Sequence, residues 1–264
     1  MLEALNAPAH IQDVTLAVRD LDRVGRFYAQ ALGLTLRETS ASEHVLESAG
    51  GAALLRLKLR PDLPPARPDE PGLFHVAFLL PGRADLARWV LHAQALGVAL
   101  EGASDHLVSE AIYLSDPEGN GVEIYVDRPR DAWPRDGAGV AMATNPLDGR
   151  SLLAEAGAND GPWVFPAEGR IGHVHLKVGD LAAAEAFYRG ELGLAVMARY
   201  PGAVFLSWGG YHHHIALNVW RSRGAPARQG EGAGLAEIGV LASGLPAPRR
   251  GRHVDPAGNV LMVA

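Results

Sequence analysis

Every second residue is apolar in two stretches far apart in the chain: Val14, Leu16 and Val18, and then Val174, Leu176 and Val178. A period of two predicts strands. In both places an aspartate follows, Asp20 or Asp180, where a helix N-cap is expected. Apolar residues then recur at helical spacing, as at Phe27, Ala31 and Leu34, and Gly33 or Gly193 stands where the helix should end. Further strands are expected at 52–59 and 213–220. The stretch from 73 to 126 has the same grammar, with a strand at 73–80, a helix at 83–96 and strands at 111–114 and 122–126. The last two strands are joined by the turn sequence Asp116-Pro117-Glu118-Gly119-Asn120.

Segments 18–34 (VRDLDRVGRFYAQALGL) and 178–194 (VGDLAAAEAFYRGELGL) match at one constant offset in Asp20/Asp180, Phe27/Phe187, Tyr28/Tyr188 and Gly33/Gly193. A second echo pairs Asp116–Asn120 with Asp255-Pro256-Ala257-Gly258-Asn259. Matches of this length imply an internal duplication. The expected class is α+β, with four βαβββ modules at about 10–60, 72–127, 170–221 and 234–264, the last truncated and without its helix. This gives two tandem halves: domain one at 1–128 (modules one and two) and domain two at 170–264 (modules three and four), joined by a linker at 129–169. Segment 61–71 is Pro-rich and expected to be extended. The linker carries Pro129, Pro134, Pro146, Pro162 and Pro166, with one short helix near 151–156. A doubly wound parallel sheet is disfavoured, because most connections are too short for crossovers and no glycine-rich phosphate loop follows a strand.

Composition narrows the function classes. The chain has 264 residues, 48% hydrophobic and 20% charged, as expected for a globular protein with a substantial core. Its net charge of −6 offers no footprint for nucleic acid. No apolar run is long enough to span a membrane, and the first residues lack a secretion signal, so the expected location is cytoplasmic. Cysteine is absent, which removes disulfides, thiolate ligands and a Cys nucleophile. A bound metal must then be held by His, Asp or Glu.

Histidine placement is uneven. His75 opens the first strand of module two and His173 that of module three, which are equivalent positions. A lone His at a strand start is ordinarily structural; the equivalence of these two raises their weight. Glu123 lies in the apolar strand Val122-Glu123-Ile124-Tyr125-Val126. Such a carboxylate either faces water or, if buried, needs a partner or a metal. Two imidazoles and one carboxylate meeting on one face would suit non-haem Fe(II) with open positions. His106 reads as a loop residue. Alternation places His212 and His214 on one face and His213 on the other, and the plain reading of this triplet is an exposed strand start. His10, His44, His92 and His253 belong to no constellation and are expected at the surface. No serine nucleophile motif occurs, and the acids lack the pairing of a glycosidase.

The segments GHVHLKVGDLAAAEAFYRGELGL and FLSWGGYHHHIALNVW, with GLFHVAFLLPGRADLARW and SEAIYLSDPEGNGVEIYVDRP, resemble the vicinal-oxygen-chelate superfamily (glyoxalase, bleomycin resistance protein, dioxygenase). Within it the chain is most similar to catechol 2,3-dioxygenase-like type I extradiol enzymes. The resemblance covers nearly the whole chain and is strong in modules two and three. It implies open mixed-sheet barrels around a divalent metal, Fe(II) or sometimes Mn(II), with His173, His75 and Glu123 as ligands. It implies His213 as the acid–base residue, with His212 or His214 in its place if the register slips by one, and His106 and Tyr113 against the substrate oxygens. The implied partners are a small aromatic diol and O2, without nucleic acid or membrane; a homo-oligomer is compatible. Trp208, Phe205 and Tyr211 are candidate walls for an aromatic ring. Module four has Glu237 and Met262, and module one Asp13, where ligands would stand. The ligand set therefore requires modules two and three to pair. The competing readings are a glyoxalase-like isomerase or lyase, which wants a second carboxylate, and a non-catalytic binding protein of the resistance type.

Overall fold

The computed structural model describes residues 2–157, 161–228 and 232–264. In module one, strand β1 (His10–Val18), helix α1 (Leu21–Leu32) and strands β2 (Thr35–Ser40), β3 (Glu43–Glu47) and β4 (Ala53–Leu59) follow the predicted order. The Asp20 carboxylate caps α1 by accepting from the backbone N–H of Arg23, and Gly33 closes it with a left-handed φ of 77°. Module two contributes β5 (Gly72–Leu79), α2 (Arg83–Ala95), β6 (Gly102–Asp105), β7 (Ser109–Ser115) and β8 (Gly121–Asp127). The connecting region is richer than expected: besides α3 (Gly149–Leu153) it holds the two-residue strands β9 (Arg135–Asp136), β10 (Gly139–Val140) and β11 (Asn145–Pro146).

Module three comprises β12 (Arg170–Lys177), α4 (Leu181–Gly190), β13 (Ala195–Tyr200), β14 (Ala203–Ser207) and β15 (Ile215–Asn218). Two expectations need correction here. Helix α4 ends at Gly190 with Glu191 as its C-cap, so Gly193 lies beyond the helix and does not terminate it. The strand expected at 213–220 is only Ile215–Asn218, because the three histidines before it are held by side-chain bonds described below. In module four, β16 (Gly234–Leu241), β17 (Gly251–Val254) and β18 (Val260–Val263) surround a single turn at Ala247–Arg249 in place of a helix.

The molecule is α+β and dominated by two curled sheets. Strand pairing runs across the two halves of the chain. One sheet, in the order β17-β18-β16-β1-β4-β3-β2, joins module four to module one; the other, β11-β6-β7-β8-β5-β12-β15-β14-β13, joins module two to module three. Modules two and three thus meet directly through antiparallel β5 and β12, with His75 opposite His175. A single core takes Val14, Leu16 and Tyr28 from module one together with Val76, Phe78, Ile124, Val174, Leu176 and Tyr188 from modules two and three. Alternation then turns His75 and Ala77 of β5, Glu123 and Tyr125 of β8, and His173, His175 and Lys177 of β12 to the opposite, concave face.

Gly172 makes that facing possible on β12. It forms a bulge, so that Ile171 pairs with Phe78 and His173 with Ala77. The extra residue lets Ile171 and Val174 both enter the core while His173 faces away from it. A Cβ at Gly172 would lie 1.8 Å from the Tyr125 Oη, so only glycine fits.

Candidate metal centre and its cavity

Ala77 is the register residue of the site. It stands opposite Glu123 on parallel β8 and opposite His173 on antiparallel β12, so the carboxylate and the imidazole share one row with only a methyl group between them. His75 lies two residues earlier on β5 and faces the same way. The Nε2 atoms of His75 and His173 lie 2.9 Å and 3.2 Å from the same Glu123 Oε2. One ligand atom from each of the three residues falls within 4.8 Å of the other two. All three side chains are buried.

These residues fit a metal ion. Ligand atoms about 2.1 Å from one ion and roughly at right angles sit about 3 Å apart, close to the separations found. The His75 Nε2 has no aligned hydrogen-bond partner, although it is completely buried. An orphaned buried ring nitrogen beside a carboxylate is costly unless something lies between them. Burial pushes His173 down to about 4 against the pull of Glu123, so at pH 7 it is neutral, the form a metal would need. Burial also works against the Glu123 charge, but His173 and His75 outweigh it and hold the carboxyl well below the usual range.

The triad lies in the wall of a cavity of about 640 Å³, which His106, Tyr113, His175, Phe205 and His213 also line. The expected ligands His75, Glu123 and His173 and the expected catalytic residues His106, Tyr113 and His213 are therefore gathered in one place. Tyr113 pairs with Glu123 across β7 and β8. The His106 Nδ1–H donates to the Ala143 carbonyl at 2.6 Å, so its Nε2 accepts from the Tyr113 hydroxyl, also at 2.6 Å. His106 rides on a strained turn. Leu107 has φ of 70°, alone among the described non-glycine residues, a backbone costing about 1–2 kcal/mol. Asp105, itself bonded to Arg128 at 2.7 Å, holds the turn by accepting from the Leu107 N–H at 2.8 Å.

The three consecutive histidines are all buried, contrary to the exposed strand start expected, and each has its own environment. The His214 Nε2 bonds the Ala4 carbonyl at 2.9 Å and receives nothing from the cavity. The His212 Nε2–H donates to Asp127 Oδ1 at 2.8 Å, and the Nδ1 atoms of His212 and His213 are 2.7 Å apart. His213 packs on His173 with ring centroids 4.0 Å apart. Burial, with the neighbouring His173 and His212, holds His213 well below the ordinary imidazole value. Asp127 also accepts from the Tyr211 hydroxyl, which in turn receives the Tyr125 hydroxyl at 2.7 Å.

Of the candidate ring walls, Phe205 lines the cavity. Trp208 does not: it is buried in the main core and donates its indole N–H to the Leu192 carbonyl. Tyr211 is spent on Asp127 and Tyr125. His44 is buried and not a surface residue. His175 carries no expected role, yet it sits on the cavity wall 4.9 Å from the His75 ring; its spacing of two from His173 is the signal that places it there. Asp127 likewise follows Glu123 by four on β8. In the other sheet, Asp13 is tied to Arg56 at 3.1 Å and Met262 is exposed, and no equivalent triad forms among the described residues.

The chain matches the model of the glyoxalase/bleomycin resistance protein/dioxygenase superfamily over residues 9–124 and 170–243. It is 40% identical over 239 residues to a protein of Bacillus subtilis named catechol-2,3-dioxygenase, covering 89% of this chain and 83% of that one. Among solved structures, it is similar in fold to glyoxalase I from Zea mays (TM-score 0.53, 14% identity, 98% and 93% of the two chains). It is similar also to the cppA protein of Streptococcus pneumoniae (TM-score 0.52, 11% identity, 97% and 99%). With the family model spanning most of its length, this chain belongs to the glyoxalase/bleomycin resistance protein/dioxygenase superfamily.

Proposed function

We propose that this protein is an Fe(II)-dependent extradiol dioxygenase, with Mn(II) as an alternative metal, that opens a catechol-type ring beside its diol with O2. The observation that carries the reading is the convergence of the His75 and His173 Nε2 atoms on Glu123 Oε2 in the cavity wall. The name of the Bacillus subtilis relative points the same way. When bound, Fe(II) supplies open coordination positions and the redox capacity to join a diol to O2. Overall, the catechol takes up both oxygen atoms, and the carbon–carbon bond next to the diol is cleaved.

The remaining work falls to the chain. Asp127 can only accept, so with His212 neutral the proton of His212 sits on Nε2 and its Nδ1 lone pair faces His213. His213 then carries its own proton on Nδ1 and presents a basic Nε2. That atom takes a diol proton and returns it later in the reaction. The Tyr113 hydroxyl proton lies towards His106, beside the Glu123 carboxylate, and its oxygen lone pairs would accept from a substrate hydroxyl. Phe205 flanks the ring.

The test is anaerobic loading with Fe(II), followed by a catechol and O2. A yellow ring-fission product is expected. Bound metal without product from any of several catechols would shift the reading to an isomerase, although among the described residues the cluster contains a single carboxylate. Protein that binds no metal at all would favour a sequestering role.

A further inference from the structure

Strand β12 continues past the triad with polar groups on the same face. His173, His175 and Lys177 alternate along it, all line the cavity, and all are buried. At about 3.3 Å per residue, Lys177 is rooted about 13 Å from His173. The space between them is an aromatic sleeve: Phe74, Trp220 and Phe205 surround the His175 ring at 4.9, 5.4 and 5.9 Å.

The far end of the sleeve carries the cations Lys177, Arg221 and Arg228, with Glu70 beside them in the cavity lining. The Lys177 ammonium donates to the carbonyls of Arg67 and Pro68, each at 3.2 Å. Among the described residues, no carboxylate lies within ion-pair distance of it. The nearby acids Asp69 and Glu70 are engaged by Arg67 at 3.0 and 3.3 Å. Arg228 spends its guanidinium on the carbonyls of Leu235 and Gly232. Arg221 also lines the cavity, with no ion pair to a described residue. Burial, with the charges of Arg221 and Arg228, lowers the Lys177 ammonium below its ordinary value, although Glu70 and Asp69 pull the other way. A buried ammonium of this kind gains from an anion brought by a ligand.

Midway, a neutral donor is fixed. Asn218 Oδ1 accepts from the Trp220 backbone N–H at 3.2 Å, which turns its Nδ2 towards the His175 Nε2 at 2.9 Å. The His175 Nε2 is therefore the acceptor and the proton is on Nδ1, for which no described residue supplies a partner.

We propose that the cavity takes catechols bearing a carboxylate-ended substituent: the ring lies in the Phe74–Phe205–Trp220 sleeve and the carboxylate meets Lys177, with Arg221 and Arg228 adding to the field. The His175 Nδ1–H is a further donor along the way. This rests on the ring-cleaving reading for the diol, but the carboxylate subsite itself can be tested without turnover.

The experiment is calorimetric titration of the metal-free protein with benzoate, phenylacetate and 3-phenylpropanoate against their primary amides, at low and high salt. At least one acid should bind roughly tenfold or more tighter than its amide, with a preference that shrinks in salt. Lys177→Met should remove the preference. Exposed Arg221→Gln should reduce the preference without disturbing the fold, which keeps the test decisive if the Lys177 variant is unstable. Equal binding of acid and amide across the series would overturn the proposal, as would a preference that survives Lys177→Met. Turnover of the corresponding 3,4-dihydroxy acids and amides by the Fe(II)-loaded protein separates the two readings. An acid preference in binding without ring cleavage of any catechol would refute the dioxygenase and leave the subsite standing.

Discussion

The Nδ1 atoms of His212 and His213 lie 2.7 Å apart, so one of the two must carry the proton, and Asp127 decides which. Because the carboxylate accepts from His212 Nε2, His213 keeps its proton on Nδ1 and a lone pair on Nε2. An asparagine at 127 can offer N–H instead and reverse every bond in the row. Asp127→Asn should therefore lower kcat at least about tenfold, and by as much as about 10⁴ if the wrong tautomer dominates, as the corresponding substitution does in the serine-protease triad. Iron content should be unchanged, because Asp127 is not in the triad. Steady-state kinetics with elemental analysis checks this; wild-type turnover in the variant would show that the relay is only structural.

Both imidazoles converge on Glu123, so its removal should be felt first as loss of metal. Glu123→Ala should abolish metal retention through gel filtration, measured by elemental analysis, and its melting temperature should no longer respond to added Fe(II). The wild type should lose stability on treatment with a chelator. Unchanged metal content in the variant would refute the ligand assignment.

Much of this site was legible in the chain because strands announce facing through a period of two. His75, Glu123 and His173 each lie within an alternating stretch whose other face is apolar, and equivalence between modules marked the two histidines. The pairing of modules two and three followed only from where the ligand residues survive, since alternation does not say which strand lies beside which. The triplet at 212–214 was opaque for another reason. Its side chains bond to Ala4, Asp127 and one another, partners up to 210 positions distant, and these bonds displace the strand that local pattern predicts. Trp208 and Tyr211 read in the sequence as ring walls but serve packing, because an aromatic residue near a cavity also makes good core.

The two echoes of the duplication touch each other. The Tyr28 hydroxyl donates to Asp116 Oδ2 at 3.3 Å, and the Tyr188 hydroxyl to Asp255 Oδ2 at 3.0 Å. Each aspartate also organises its turn, taking the N–H groups of Asn120 and Glu118, or of Asn259 and Ala257. Tyr28→Phe or Tyr188→Phe leaves a buried carboxylate one donor short and should cost about 1–2 kcal/mol each. The two losses should add in the double variant, since the pairs share no partner. Denaturant titration measures this; a neutral Tyr188→Phe would show that the bond is dispensable.

The bulge at Gly172 connects fold stability to the metal site. A methyl group there would sit 1.8 Å from the Tyr125 Oη and 2.8 Å from its Cζ, with Leu79 Cβ at 3.2 Å on another side. Relief requires Tyr125 to move or β12 to shift, and His173 is the next residue. Gly172→Ala should cost about 1–3 kcal/mol, seen as a drop of several degrees in Tm, and should weaken metal binding as His173 loses its row with Ala77 and Glu123. Adding Tyr125→Phe removes the closest atom but not Cζ, and it also deletes the bond to Tyr211. The double variant should therefore recover metal affinity more fully than stability. Recovery of stability without metal affinity would mean that the bulge serves packing alone and that His173 finds its place by other means.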